Sequence, residues 1–129
     1  MAYNFMIVDD SSIVRKVIQR TLSMTSIEVN LVLEAANGQE ALEKLRGAWV
    51  DLVFLDINMP VMNGIEFMEH LRADETYQDI PVVVVSTEGS KERIARLSAL
   101  GIKAYLRKPV TPETLTEAVS QVLAERKGA

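Results

Sequence analysis

Asp56 stands at the end of the apolar run 52–55 (LVFL) and is followed by Asn58 and Pro60. A lone carboxylate at the end of a buried segment is costly to desolvate, so it needs partners. Three other apolar runs end on groups that could supply them. Residues 5–8 (FMIV) lead into Asp9 and Asp10, residues 81–85 (PVVVV) into Ser86, Thr87 and Glu88, and residues 104–107 (AYLR) into Lys108 and Pro109. Carboxylates brought together repel, and at least one would be forced to hold its proton. A divalent cation removes that conflict. An oxygen-only donor set with room for water suits Mg²⁺, which keeps several waters and often bridges to a phosphate. Lys108 adds a point positive charge suited to phosphate, and Ser86 adds a hydroxyl donor. In such surroundings Asp56 can act as a nucleophile, with the cation and Lys108 stabilising charge on the transferring oxygens. The chemistry implied is an aspartyl phosphate.

Each residue alone has a plainer role. An Asp after a strand is usually a turn former or helix cap, Ser86 could be an N-cap, and a Lys-Pro pair commonly ends a strand. The joint pattern carries the argument, provided the four run ends meet in space.

Whether they meet depends on the elements between them. Ile13, Val14, Val17, Ile18 and Leu22 recur at helical spacing between charged residues, with Ser11 or Asp10 as N-cap. Residues 29–35 (VNLVLEA) read as the second strand and 39–46 (QEALEKLR) as the second helix. The third helix spans 64 to about 73. The fourth covers 91–100 and stops at Gly101, and the fifth runs from Pro112 to about Glu125 with Leu115, Val119, Val122 and Leu123 inward. The all-apolar run 81–85 reads as a strand buried on both faces, as in a parallel sheet. Strict β–α alternation implies a parallel sheet with helices on both faces. Ligand sites in such sheets lie beyond the carboxyl ends of the strands. The first, third, fourth and fifth strands would then place Asp9, Asp10, Asp56, Asn58, Ser86, Thr87, Glu88 and Lys108 on one rim.

Bulk properties agree with a single domain of 129 residues, 48% apolar and 25% charged. A net charge of −4 argues against nucleic-acid binding, which needs a basic surface. The chain has no cysteine, which removes disulfide and thiolate chemistry and suits a cytoplasmic protein. No apolar stretch approaches the ~20 residues that span a bilayer, and with acidic residues straight after the first run the N-terminus is not expected to be a signal peptide.

The stretches MIVDDSSIVRKVI, EAANGQEAL, DLVFLDINMPVMNGIEF, IPVVVVSTEG and GIKAYLRKPV together resemble a response-regulator receiver domain of the single-domain chemotaxis-regulator type. The resemblance covers all five strand ends. It implies an α/β doubly wound (βα)5 flavodoxin-like fold, order 2-1-3-4-5, filling residues 1–129 with a core at about 4–125 and no output domain. It implies a switch in two-component signal transduction rather than an enzyme, with self-phosphorylation and autodephosphorylation its own chemistry. Asp56 would accept a phosphoryl group from a histidine kinase or phosphotransfer protein. Asp9, Asp10, Asp56 and the Asn58 carbonyl would hold Mg²⁺. Lys108, Ser86 and Thr87 would contact the phosphoryl group, Ser86 and Tyr105 would form the switch, and Lys108–Pro109 would be a cis peptide. Asn58 and Glu88 occupy the two positions that tune phosphoryl lifetime in the family, and the pair predicts a short-lived adduct. Thr87, where the family usually has Ala or Gly, works in the other direction. The output face would be the fourth helix, fifth strand and fifth helix, presented to a protein partner by a monomer or a weak, phosphorylation-dependent dimer.

A haloacid-dehalogenase-like phosphohydrolase using Asp56 is the alternative, but Asp56-Ile57-Asn58 lacks the second acid that such enzymes use. A flavodoxin-like FMN binder is disfavoured by Asp9-Asp10-Ser11-Ser12, which repels phosphate unless a metal intervenes. His70 is expected on the surface, Trp49 partly in the core, and Met6, Met59 and Met68 as core or rim filling.

Overall fold

The computed structural model describes residues 2–87 and 89–128. Ten elements alternate: β1 (Tyr3–Val8), α1 (Ser12–Ser23), β2 (Val29–Ala35), α2 (Gly38–Leu45), β3 (Leu52–Leu55), α3 (Gly64–Ala73), β4 (Val82–Ser86), α4 (Lys91–Ala99), β5 (Ala104–Arg107) and α5 (Pro112–Gly128). The strands are parallel and ordered β2-β1-β3-β4-β5.

Period-two alternation in the strands divides the core into two layers. Met6, Val8, Val53, Leu55, Val82 and Val84 face one side and pack with Ala41 and Leu45 of α2, Phe67 and Leu71 of α3, and Leu97 of α4. Phe5, Ile7, Leu52, Phe54, Val83 and Val85 face the other and pack with Ile18 and Leu22 of α1 and with Leu115, Val119 and Leu123 of α5. Each fully buried large apolar side chain contributes about 1.5–3 kcal/mol of transfer free energy, which is why the register is held firmly.

The helices begin where side-chain caps satisfy their first amides. Ser11, Asn37, Asn63 and Ser90 accept from the backbone N–H of Val14, Glu40, Glu66 and Arg93, and Asn63 with Glu66 forms a reciprocal capping box. Gly101 follows α4 with φ of 84°, the left-handed geometry that stops a helix. The Arg72 guanidinium ties the end of α3 to the end of α4 by donating to the carbonyls of Leu100 and Gly101.

Four expectations shift. Trp49 is exposed (61%) rather than partly in the core. Its indole N–H donates to Asp51 at 3.0 Å, and Val50 takes the buried position beside it. On α1, Ile13 (74%) and Val17 (47%) are exposed, because only the Val14–Ile18–Leu22 side of the apolar stripe meets the sheet. β4 runs one residue later than the apolar run, so Ser86 is its last residue and not the first of the loop. β1 starts two residues earlier, because Tyr3 and Asn4 pair with β2. His70 is exposed, and Met6, Met59 and Met68 are buried, as expected. No helix among the described residues is long and apolar enough to cross a membrane.

Candidate functional site

The carboxyl ends of β1, β3, β4 and β5 bring the polar clusters together. Backbone bonds set the rim. Asp9 N–H donates to Ala35 at 3.0 Å, Asp56 N–H to Val8 at 2.9 Å, and Lys108 N–H to Ser86 at 3.2 Å. Among the described residues, Asp9, Asp10 and Asp56 place carboxylate oxygens within 4.8 Å of one another. Asp9 (1% exposed) and Asp56 (7%) are buried, whereas Asp10 is exposed and opens the cluster to solvent. A set of three carboxylates with one face open is the oxygen-rich donor set that a hard divalent cation takes.

Lys108 joins the acids. Its Nζ lies 2.6 Å from Asp9 Oδ2 and 3.6 Å from Asp56 Oδ1. Asp9 also accepts the Ser11 N–H at 2.9 Å, so it shapes the turn into α1 while contributing to the acid cluster. The plainer turn-former role is therefore present in the same side chain that joins the acid cluster. Ser86 is buried, and its hydroxyl donates to the Asp56 carboxylate, as does the Ile57 N–H. The Asp56 pKa is nevertheless raised above its ordinary value. Burial is the main cause and the neighbouring Asp9 charge the second; Lys108, the Ile57 N–H and Ser86 act against them.

Close packing holds the loop after β3. Gly64 opens α3 so close to that loop that a Cβ on it would sit 2.4 Å from the Asp56 carbonyl oxygen and 2.9 Å from the Ile57 Cα. Its N–H donates to Ile57 at 2.8 Å. Between them, Val61 adopts φ of 66°, and the Met62 N–H reaches the Pro60 carbonyl at 2.7 Å, closing a three-residue turn. Asn58 is exposed at the mouth, where its side-chain oxygen accepts from Arg93 in the first turn of α4. Thr87 is exposed and borders, with Lys108 and Pro109, a shallow apolar hollow against α1. The Lys108–Pro109 peptide is cis. Tyr105, aligned with Val84 on β5, packs on the α3–α4 layer with its hydroxyl oxygen buried. Glu88 lies outside the described residues.

A family model described as the response regulator receiver domain matches residues 5–120. The chain belongs to this family. Chemotaxis protein CheY1 of Helicobacter pylori is 40% identical over 119 residues, covering 92% of this chain and 94% of that protein. The chemotaxis protein CheY homolog of Campylobacter jejuni is 39% identical over 124 residues, covering 95% and 94%. Among solved structures, the chemotaxis response regulator CheY4 of Vibrio cholerae matches with a TM-score of 0.81 at 36% identity, covering 95% of this chain and 99% of that one. A CheY-like receiver domain protein from Methanospirillum hungatei matches with a TM-score of 0.84 at 26% identity, covering 99% and 98%. The receiver is therefore a two-component response regulator of the CheY-like kind, a signalling switch rather than a classical enzyme, and it works with histidine kinases or phosphotransfer proteins. The matches give no support to the haloacid-dehalogenase alternative.

Two features of the site were not legible in the sequence. Arg93 reaches Asn58 through space from an exposed helix position, and no local pattern marks it. Val61 carries no turn signature, since a β-branched residue is a poor choice for positive φ.

Proposed function

We propose that Asp56 is the phosphoacceptor of this receiver. The observation that carries the proposal is Lys108 Nζ set between Asp9 and Asp56, with the buried Ser86 hydroxyl on the same carboxylate. An Asp56 carboxylate oxygen attacks phosphorus, the P–N bond of a donor phosphohistidine breaks, and its electron pair leaves with the imidazole. Lys108 then balances charge on the transferred phosphoryl oxygens, and Ser86 turns its hydroxyl from the carboxylate to the phosphoryl group. Thr87, next in sequence, is proposed as a further contact to the phosphoryl group.

Asp9, Asp10, Asp56 and the Asn58 carbonyl are proposed to hold Mg²⁺. Bound there, the ion supplies positive charge against the acid cluster and the incoming phosphate. The donor chemistry fits: two buried carboxylates and one exposed carboxylate leave coordination room for water and phosphate oxygen.

Signal leaves the site through Ser86 and Tyr105 toward the α4–β5–α5 face, which binds a protein target. That face is built for change. Leu97 is the buried residue of α4, and polar ties such as Arg96–Glu69 at 2.6 Å hold the rest of the helix. Asn58 and Glu88 are proposed to tune phosphoryl lifetime, with Thr87 restricting access. The receiver would act as one domain in the cytoplasm, where kinases use ATP, as a monomer or a weak phosphorylation-dependent dimer.

Intact mass after incubation with a small-molecule phosphodonor tests the proposal. One phosphoryl group should add to the wild type with Mg²⁺ and not to Asp56→Asn. Equal labelling of Asp56→Asn would overturn it.

A further inference from the structure

Asn58 stands two residues past Asp56, and its side-chain oxygen is held from across the site by Arg93. A guanidinium carries donors only, so the carboxamide atom that faces it must be the oxygen. The bond is charge-assisted, stronger than a neutral pair and selective for that orientation of the amide. Arg93 is also the residue whose backbone N–H is capped by Ser90, so its stem is anchored in the first turn of α4.

Hydrolysis of an aspartyl phosphate needs a water oriented toward phosphorus. The water oxygen bonds to phosphorus, the P–O bond to Asp56 breaks with its electron pair returning to the carboxylate, and a water proton passes to an acceptor. An amide at the position of Asn58 can help in two ways. Its NH₂ can donate to the water oxygen, which occupies a lone pair, or its carbonyl oxygen can accept a water proton, which leaves the lone pairs free for attack. The second mode is the productive one. It uses the atom that Arg93 already engages.

We propose that Arg93 is a positioning residue that prolongs the phosphorylated state by engaging the side-chain oxygen of Asn58. The inference rests on Asp56 being the phosphoacceptor. The rest of α4 does not depend on this contact, since Arg96 pairs with Glu69, Arg72 holds the carbonyls of Leu100 and Gly101, and Leu97 is buried. The backbone amide resonances of α4 beyond residue 93 should accordingly keep their positions in Arg93→Ala.

The test is a double-substitution cycle. Wild type, Arg93→Ala, Asn58→Ala and the double variant are phosphorylated with a small-molecule donor and Mg²⁺. The donor is then removed and loss of the phosphoryl group is followed by intact mass. Arg93→Ala should lose it about two- to fivefold faster than wild type, the range for one exposed charge-assisted contact. The same change should do nothing once Asn58 is Ala, and Arg93→Lys should restore part of the lifetime. A second readout uses unphosphorylated protein without metal, where the side-chain NH₂ resonances of Asn58 should shift in Arg93→Ala and keep their position in Lys91→Ala. Unchanged or slower decay in Arg93→Ala overturns the inference, as does an acceleration that persists without Asn58. Absence of any adduct on the wild type would overturn the phosphoacceptor reading itself, and this inference with it.

Discussion

Replacing Asp56 by Asn should stabilise the cation-free protein at neutral pH. The carboxylate is buried (7% exposed), with the oxygens of Asp9 and Asp10 within 4.8 Å and Lys108 Nζ at 3.6 Å. At an effective dielectric constant near 20, one like charge no farther than 4.8 Å away costs about 3.5 kcal/mol or more, and Lys108 at 3.6 Å returns about 4.6 kcal/mol. Asp10 is exposed and screened, so the pairwise terms nearly cancel and desolvation decides the sign. That agrees with burial as the main cause of the raised Asp56 pKa. The net gain for Asn should be about 1–3 kcal/mol, or roughly 3–12 °C in Tm for a domain of this size. The pH dependence follows from the direction of the shift. A carboxyl whose folded pKa is raised binds its proton more tightly folded than unfolded, so its ionisation costs stability. The cost is absent below the unfolded value of 3.8 and complete above the raised folded value. The advantage of Asp56→Asn should therefore grow as pH rises from about 3.8 and then level off. Urea denaturation followed by far-UV circular dichroism, in EDTA across that range, measures it. Added Mg²⁺ should stabilise the wild type more than the variant and narrow the gap. A variant less stable than wild type at pH 7 in EDTA, or an advantage that ignores pH, would refute the reasoning.

Gly64→Ala should cost about 3 kcal/mol or more, because its Cβ would overlap the backbone of Asp56 and Ile57, whereas Gly47→Ala, whose nearest neighbour is 3.8 Å away, should be near neutral; thermal denaturation separates them. Val61→Asn should gain about 0.5–1 kcal/mol by relieving a β-branched residue at φ of 66°, and an equal or lower urea midpoint would count against strain there. Glu88→Ala should slow phosphoryl loss in the same decay assay, and an unchanged rate would remove Glu88 from the lifetime argument.

The strands and the site rim were readable because they rest on local signals plus one global rule. Leu52–Leu55 and Ala104–Arg107 are short apolar or mixed runs bounded by turn and helix-start residues, and they form β3 and β5 with the expected limits. Alternation with helices then implied a parallel sheet, which gathers strand ends without any knowledge of side-chain contacts. What failed was local choice between neighbours. Trp49 and Val50 are both apolar, and only the packed sheet shows that Val50 turns in while the Trp49 indole bonds Asp51 at the surface. Ile13 and Val17 belong to an apolar stripe wider than the face that the sheet covers. The Arg93–Asn58 contact joins residues 35 apart and depends on the angle of α4, which no periodicity encodes.

The most direct test of Asp56 as phosphoacceptor is chemical trapping of the adduct. Borohydride reduces an acyl phosphate to the alcohol, which marks the modified aspartate as homoserine. After phosphorylation with a small-molecule donor and Mg²⁺, reduction, digestion and fragment-ion sequencing should place homoserine at position 56 alone. Homoserine at position 9 or 10, or phosphate retained on His70, would contradict the assignment.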